Sequence, residues 1–417
     1  MASWDEMVAL SPSLGGRGSS RALFLLIALG LIIAVGVGLC SSYRAYRLAT
    51  AYTLHQDYVS DEIYYVDTAR RILINVFHVG LREQYNWSGK TGENYYNLEH
   101  PPLGKYIIGL SMLLCGDKPV CWRLPGILEA FLTPLVIYVG FASVALRRRW
   151  RLAILAGIVA AVAAGADRIL FVDASVAMLD IHLAFFTALS LSAYLAGRPR
   201  LALVMAALAS TVKMSGIAAV AGVAGYEFFR QISRRKWRVS VRIVLEAVIV
   251  TALIWLVVYS PLIAYFGPTK ILKETSAALK WHTTSRPEGP PTSNPPGWIL
   301  NSNPFVFAYS TVYAAAETTT IVHLAALAVS LVIVLLVLAL SLRGREIPLG
   351  AGSTTYIATL LLYLAVYLLG NHTLYSFYAV QLNPPAGIAI GEAILILLGA
   401  GSALRREEDR VWRTPSR

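Results

Sequence analysis

The sequence predicts an all-α polytopic membrane protein, and three observations predict it. Hydrophobic residues make up 56% of the 417 and charged residues only 14%, with a mean hydropathy of +0.59. Apolar runs of about 20 residues, the length that crosses a ~30 Å hydrocarbon core as a helix, recur along the chain. Between these runs lie short clusters of arginine and lysine, which hold the adjoining helix ends in the cytosol. The net charge of +12 is therefore topogenic. It is split among those clusters instead of forming the continuous patch that nucleic acid requires.

Ala22 to Cys40 is the first apolar run. No small-residue cleavage site ends it, so it reads as a retained helix and not a signal peptide. Five basic clusters follow: Arg147 to Arg151, Arg198 with Arg200, Arg230 to Arg238, Arg343 with Arg345, and the tail from Arg405. All five belong in the cytosol, together with Arg17 and Arg21. Two cytosolic clusters are joined by an even number of crossings. Two helices between Arg151 and Arg198 must then turn outside at Asp167 to Asp173. Between Arg200 and Arg230 lie about 29 apolar residues, roughly 43 Å as one helix, which would leave its two basic ends on opposite sides. Two short helices with an outer turn near Thr211 to Gly216 satisfy the rule. They also keep Lys213 out of the lipid, where it would cost ~3 kcal/mol.

Leu124 to Leu146, Val239 to Ala264, Thr318 to Leu342, Thr354 to Gly370 and Pro385 to Ala400 supply the other crossings. The total is about ten helices with both termini cytosolic. The chain divides into a tail 1–21, a transmembrane module 22–264 with a large external loop 41–123, a second external loop 265–304, C-terminal helices 305–400 and a tail 401–417. Tyr106 to Cys115 is too short to span and reads as an interfacial or re-entrant helix. Cys115 and Cys121 share the outer segment, where a short-loop disulfide is open to them. Two glycosylation sequons, at Asn86 and Asn371, also fall outside.

Acids, histidines and prolines collect in the outer segments. The first loop carries Tyr58-Val59-Ser60-Asp61-Glu62-Ile63-Tyr64-Tyr65, then Asn97-Leu98-Glu99-His100-Pro101-Pro102-Leu103-Gly104-Lys105, and ends at Trp122-Arg123. Later outer turns add Asp173, Asp180, Lys213, His282, Arg286, Tyr375 and Tyr378. Ionisable groups gathered where helix ends meet loops mark a site in a membrane protein.

These residues resemble the dolichyl-phosphate-mannose protein O-mannosyltransferases, one family of the GT-C integral-membrane glycosyltransferases. Asp61-Glu62 followed by two tyrosines is similar to the family's acidic pair after the first helix, and His100 to Lys105 matches its HPPLGK segment. Arg123 resembles its external arginine, Met178-Leu179-Asp180 its LLD element, and Ser210-Thr211-Val212-Lys213 its S-T-K turn. His282, Trp298 and Tyr309 resemble its H...W...Y loop; Tyr375 to Tyr378 with Pro384 and Pro385 resembles its last aromatic and proline element. The chain departs from the family before the LLD, where Ser175 to Ala177 replace an arginine and Arg168 is the nearest substitute. Its second external loop is also too short for the lectin-like domain of eukaryotic members.

The resemblance implies a GT-C helical bundle and an inverting transfer of mannose, or a related sugar, from a dolichyl or polyprenyl phosphate to Ser/Thr hydroxyls. Such chemistry needs a base for the acceptor proton, cations for the departing phosphate and a pocket for the lipid. Asp61 is the expected base, with Glu62 or Arg123 holding its orientation. Lys213, Arg123 and Lys105 are the expected phosphate partners. Tyr65, His100, Asp173, Asp180, His282 and Tyr378 are the supporting or acceptor-side candidates. The acidic D-x-D and the WWD motif of metal-dependent oligosaccharyltransferases are missing from the sequence, so the expectation is chemistry without a divalent metal or other cofactor. A lipid or glycan acceptor is the alternative, as in aminoarabinose-type transferases. A transporter is the reading from another class, but it predicts charges at mid-membrane in paired broken helices. The sequence leaves open whether the protein acts alone or as a dimer.

Overall fold

The structure, a computed structural model, describes residues 17–51, 58–81, 85, 91, 92, 94–148, 151–284, 291–309 and 312–398. Arg149, Arg286, the Asn86 sequon, the first sixteen residues and the tail from Arg405 fall outside the described residues.

Helix α1 (Arg17–Ala49) carries the first apolar run past Cys40 to Ala49. Its last turns remain helical because Ala45 and Ala49 pack into the core. After α2 (Glu62–Arg71) and a π turn at Ile72–Val76 comes the short α3 (Leu103–Cys115), which at 13 residues cannot span. The next helix, α4 (Pro119–Arg148), begins before Leu124, so Arg123 is a helical residue and not the end of a loop. Then follow α5 (Arg151–Ala166), α6 (Arg168–Asp173), α7 (Leu179–Leu195) and α8 (Pro199–Val212). A break at Lys213 and a 3-10 turn, Met214–Gly216, separate α8 from α9 (Ile217–Ser233), as the charge map requires.

Helix α10 (Trp237–Phe266) ends at Gly267, whose φ of +81° starts α11 (Pro268–Thr283). A short α12 (Pro295–Leu300) leads into an antiparallel hairpin, β1 (Val306–Tyr309) and β2 (Val312–Ala315), with Val306 opposite Ala315. The hairpin lies in the stretch 305–400 that the sequence assigns to helices alone. Alternation of buried Phe307 and Tyr309 with exposed Val306 is the period-two pattern of a strand. The chain closes with α13 (Thr320–Leu342), α14 (Ala351–Leu368), a 3-10 turn Ser376–Leu382 and α15 (Asn383–Leu397).

Among the described residues, six helical segments are long and apolar enough to cross a membrane: α1, α4, α10, α13, α14 and Ser376–Leu397. Helices α5, α7 and α8 are shorter, at 16, 17 and 14 residues. They sit among the longer helices, where buried alanines and glycines allow close approach. Gly38 shows how close: a Cβ there would come within 2.4 Å of the Phe131 carbonyl oxygen on α4.

Contacts at the helix ends fix the two poles of the bundle. Ala49 meets Arg123, Asp167 meets Thr319 and Asn383, and Lys213 meets Asp180. At the opposite pole Arg147 donates to the Leu195 carbonyl, and the Arg235 side chain lies against Gly344. The candidate site residues thus gather at one pole and the described basic clusters at the other.

Cys115 and Cys121 form a disulfide between α3 and α4. The loop it closes carries Asp117, which accepts from Arg70 Nε at 2.6 Å, Arg70 Nη2 at 3.0 Å and Trp122 Nε1 at 2.7 Å. A crosslink over so short a loop stabilises by about 2 kcal/mol through the unfolded state. Replacing both cysteines by serine is expected to lower the unfolding free energy in detergent by about that amount, as read by denaturant titration.

Candidate active site

The site is built around a buried ion pair. Arg123 Nε and Nη2 each donate to one oxygen of Glu62 at 2.7 Å, and both side chains are 0% exposed. Nη1 of the arginine donates to the Ala49 carbonyl at 2.8 Å. The Glu62 carboxylate also accepts the backbone N–H groups of Val59 at 2.8 Å and Ala177 at 2.7 Å. The ion pair thereby ties the end of α1, the start of α2, the turn before α7 and the first turns of α4. The carboxylate's lone pairs are used up, as a buried charge demands. Arg123, grouped with Lys213 by the sequence as a phosphate partner, is enclosed here and lines neither cavity described below.

Asp61, next in the chain, points elsewhere. It occupies the N-cap position of α2 but makes no side-chain cap hydrogen bond, although aspartate there ordinarily caps. Ser60 before it has φ +53°, a conformation that non-glycine residues seldom hold without local enforcement. The Glu62 bond to Val59 N–H closes this turn and sends the Asp61 carboxyl into a cavity of about 540 Å³. That cavity is polar and aromatic, walled by Tyr64, Tyr65, Tyr95, Glu99 and Trp281. Burial pushes the Asp61 pKa up to about 6, against the pull of the Lys213 charge, with Asp180 adding to the rise. Tyr65 lies behind it, buried, with its phenol held neutral by burial and by the Asp61 charge.

Lys213 lines a second cavity, of about 200 Å³ and mostly apolar, with Ile217, Leu279, Leu362, Val366 and Leu374 on its walls. The ammonium group is oriented on two sides. It donates to both oxygens of Asp180, at 2.9 and 3.0 Å, and sits 3.7 Å from the ring centroid of Tyr378. Gln381 Nε2 fixes Asp180 in turn, at 2.6 Å. Trp298 and Tyr363 pack on Tyr378, so the aromatic loop of the second half supports the lysine.

The two cavities share His100 and His282, whose rings lie 5.7 Å apart. Burial first, and then the Lys213 charge, lower the pKa of His100 well below its ordinary value, so it meets this junction as a neutral ring. Lys105 holds His100 there. Its ammonium donates to the carbonyls of Asn97 and His100 and is 0% exposed, and burial lowers its pKa to about 7. Lys105 lines neither cavity; it shapes the loop that does. Gly104 lets that helix start approach α7, since a Cβ there would lie 2.6 Å from Leu179 Cδ2. Asp173 is fully buried, with both carboxyl oxygens lacking a hydrogen-bond partner among the described residues, and burial raises its pKa well above the carboxylate range.

Asn371, read from the sequence as an external sequon, is 0% exposed and donates to the His282 carbonyl at 2.9 Å. Its amide is thus enclosed in the wall of the apolar cavity. Gln381, Tyr95 and Trp281 are not among the residues that the sequence pattern singles out. Trp281 stands beside His282 in the chain, and that adjacency is the one signal that could have found it. Among the described residues, no three His, Cys, Asp or Glu side chains are grouped as metal ligands.

No protein-family model matches the chain, and no curated protein matches its sequence. Solved structures do. ArnT from Cupriavidus metallidurans, in a crystal structure with undecaprenyl phosphate, is 16% identical with a TM-score of 0.54 over 94% of this chain and 62% of that one. The present chain therefore spans less than two thirds of its length. The arabinosyltransferase EmbB from Mycobacterium smegmatis is 17% identical with a TM-score of 0.48, over 87% of this chain and 30% of that one. The protein O-mannosyltransferase Pmt1-Pmt2 complex of S. cerevisiae is 13% identical with a TM-score of 0.35, over 72% of this chain and 38% of that one. The chain shares the helical-bundle fold of ArnT. Sugar and acceptor are left to the chain's own residues.

Removing one member of a buried pair leaves the other charge uncompensated, at a cost of about 3–5 kcal/mol. Glu62→Gln is expected to lose that much unfolding free energy, and the double variant Glu62→Gln with Arg123→Met to regain a substantial part of it, as measured by denaturant unfolding in detergent.

Proposed function

We propose that the chain is an inverting glycosyltransferase that moves mannose from a dolichyl or polyprenyl phosphate to Ser/Thr hydroxyls of proteins on the outer membrane face. The observation that carries this reading is the shared wall. A carboxylate-bearing polar cavity and a lysine-bearing apolar cavity meet at His100 and His282. A polyprenyl phosphate has the matching halves, an apolar chain and a charged head.

In this reading the lipid lies along Ile217, Leu279, Leu362, Val366 and Leu374, and its phosphate faces Lys213. Asp61 takes the proton of the acceptor hydroxyl as that oxygen bonds to the anomeric carbon. The bond from that carbon to the phosphate oxygen breaks, and its electron pair leaves with the lipid phosphate. Lys213 stabilises the charge that develops there, and no divalent ion is needed. Asp180 and Tyr378 keep the ammonium aimed; neutral His100 offers a hydrogen bond without adding charge. Arg123 and Glu62 act through the backbone, by fixing where Asp61 points. The loop pole faces outside and the basic pole the cytosol, through about ten crossings in which short α5, α7, α8 and α9 are accommodated by local thinning.

Purified protein with mannosyl polyprenyl phosphate and a Ser-containing peptide tests this reading. Asp61→Asn is expected to bind donor and to lose transfer by ~10²-fold or more, the range for a general base. Undiminished transfer removes Asp61 as the base, and transfer to a lipid or saccharide but never to peptide corrects the acceptor. In the unaltered protein kcat/KM should climb with pH through about 6 and level off above it, because the base acts as carboxylate. The stability sign is opposite. A folded pKa above the unfolded one means that ionised Asp61 destabilises the fold above about pH 6. Asp61→Asn should therefore unfold no earlier than the parent at pH 7.

A further inference from the structure

The polar cavity continues past Asp61 to an outer wall that the proposed transfer chemistry does not use. Tyr64 is 42% exposed and Trp281 60% exposed on this wall, with Tyr95 packed edge-on to Tyr64 at 5.9 Å between ring centroids. The polar side chains around these rings are engaged with one another. Tyr95 Oη donates to Glu99 Oε1, and Asn97 Nδ2 donates to the same oxygen at 2.8 Å. Thr91 Oγ1 donates to Asp67. Arg71 holds the rim in place, donating to the carbonyls of Thr91, Gly92 and Tyr95 and to Asp67. Among the described residues, a Cβ at Gly92 would meet nothing within 4 Å. The wall thus presents aromatic faces beside a base, with Tyr95, Asn97, Glu99 and Thr91 engaged in hydrogen bonds of their own.

We propose that this wall is the acceptor subsite, and that it binds an extended, proline-containing segment in the polyproline II conformation beside the Ser or Thr that receives the sugar. The inference rests on the proposed protein acceptor and names its class. Polyproline II has no internal hydrogen bonds and leaves its backbone to water, so a groove of aromatic side chains suits it without many polar partners. A saccharide presents a hydroxyl on nearly every ring carbon and needs polar partners for them, whereas Tyr95, Asn97, Glu99 and Thr91 on this wall are already engaged in hydrogen bonds of their own. Pre-extension also keeps the ordering entropy of the acceptor low, because the proline ring fixes φ before binding. Trp281 stands next to His282 at the junction, so a residue stacked there is next to the reacting hydroxyl. Arg71 is a positioning residue: it touches no substrate and sets the height of the rim.

The test compares two peptides in the full-length protein with mannosyl polyprenyl phosphate, one with a Ser flanked by prolines and one with those prolines replaced by alanine. The proline peptide is expected to show a kcat/KM about tenfold higher, arising in KM, as pre-organisation predicts. Trp281→Ala and Tyr64→Ala should each shrink that ratio to below about threefold while the KM for donor stays within about twofold. Trp281→Phe should keep most of the ratio, which separates a stacking role from a general loss of structure. Equal use of the two peptides by the unaltered protein overturns the subsite and leaves the proposed transferase standing. Variants that slow both peptides equally overturn it as well. Labelling of a free oligosaccharide with neither peptide labelled overturns the protein acceptor, and the subsite with it.

Discussion

Everything at the loop pole depends on the pairing of Arg123 with Glu62. Two charges taken out of water are tolerated only when each finds its full set of partners, and this pair finds them on four separate pieces of chain. The cost of leaving any partner unmet makes the geometry strict. The end of α1, the turn at Ser60 and the turn at Ala177 must all come to the same point on α4. Asp61 inherits its direction from that meeting, because its neighbour Glu62 cannot rotate away.

Adjacent acids thus acquire opposite properties. Glu62 has every oxygen satisfied and no route to a cavity. Asp61 caps no helix, and burial raises its pKa to about 6. A carboxylate kept partly desolvated and unspent is a stronger base than one paired with arginine. Lys213 shows the complementary arrangement. Its ammonium is aimed by Asp180 and Tyr378 while lining the apolar cavity. Asp61 and Lys213 sit in different cavities that meet at the shared histidine wall, where the proposed lipid-phosphate-linked sugar would bridge them.

Much of the bundle is legible in the sequence, because crossing a bilayer with charge is costly enough to override local preference. The alternation of basic clusters locates the breaks at Asp167 and Lys213, and both are where it puts them. Helix ends beyond the apolar runs are harder. The extension of α1 to Ala49 and the early start of α4 carry no hydropathy signal, since they are set by the Arg123 contact with the Ala49 carbonyl. The hairpin at Val306–Ala315 hides in an apolar stretch that also suits the lead into a helix. Composition brings Asp61, His100, Lys213, His282 and Tyr378 to one pole, as the structure does. It cannot distinguish an arginine that faces a cavity from one that faces a carboxylate, and so it groups Arg123 and Lys105 with Lys213. Tyr64 on α2, Trp281 on α11 and Tyr95 in the loop before α3 reach a common wall through tertiary packing, which no spacing announces.

The stereochemistry of transfer tests the account most directly. In the proposed reading, Glu62 is held by Arg123 and Asp61 acts as the base on the acceptor hydroxyl in a single displacement. Anomeric coupling constants measured by NMR on donor and glycosylated product should then show inverted configuration at the transferred carbon. Retained configuration would require a nucleophile and a glycosyl-enzyme intermediate at this site, as retaining glycosidases use, and would contradict the assignment of Asp61 as a base.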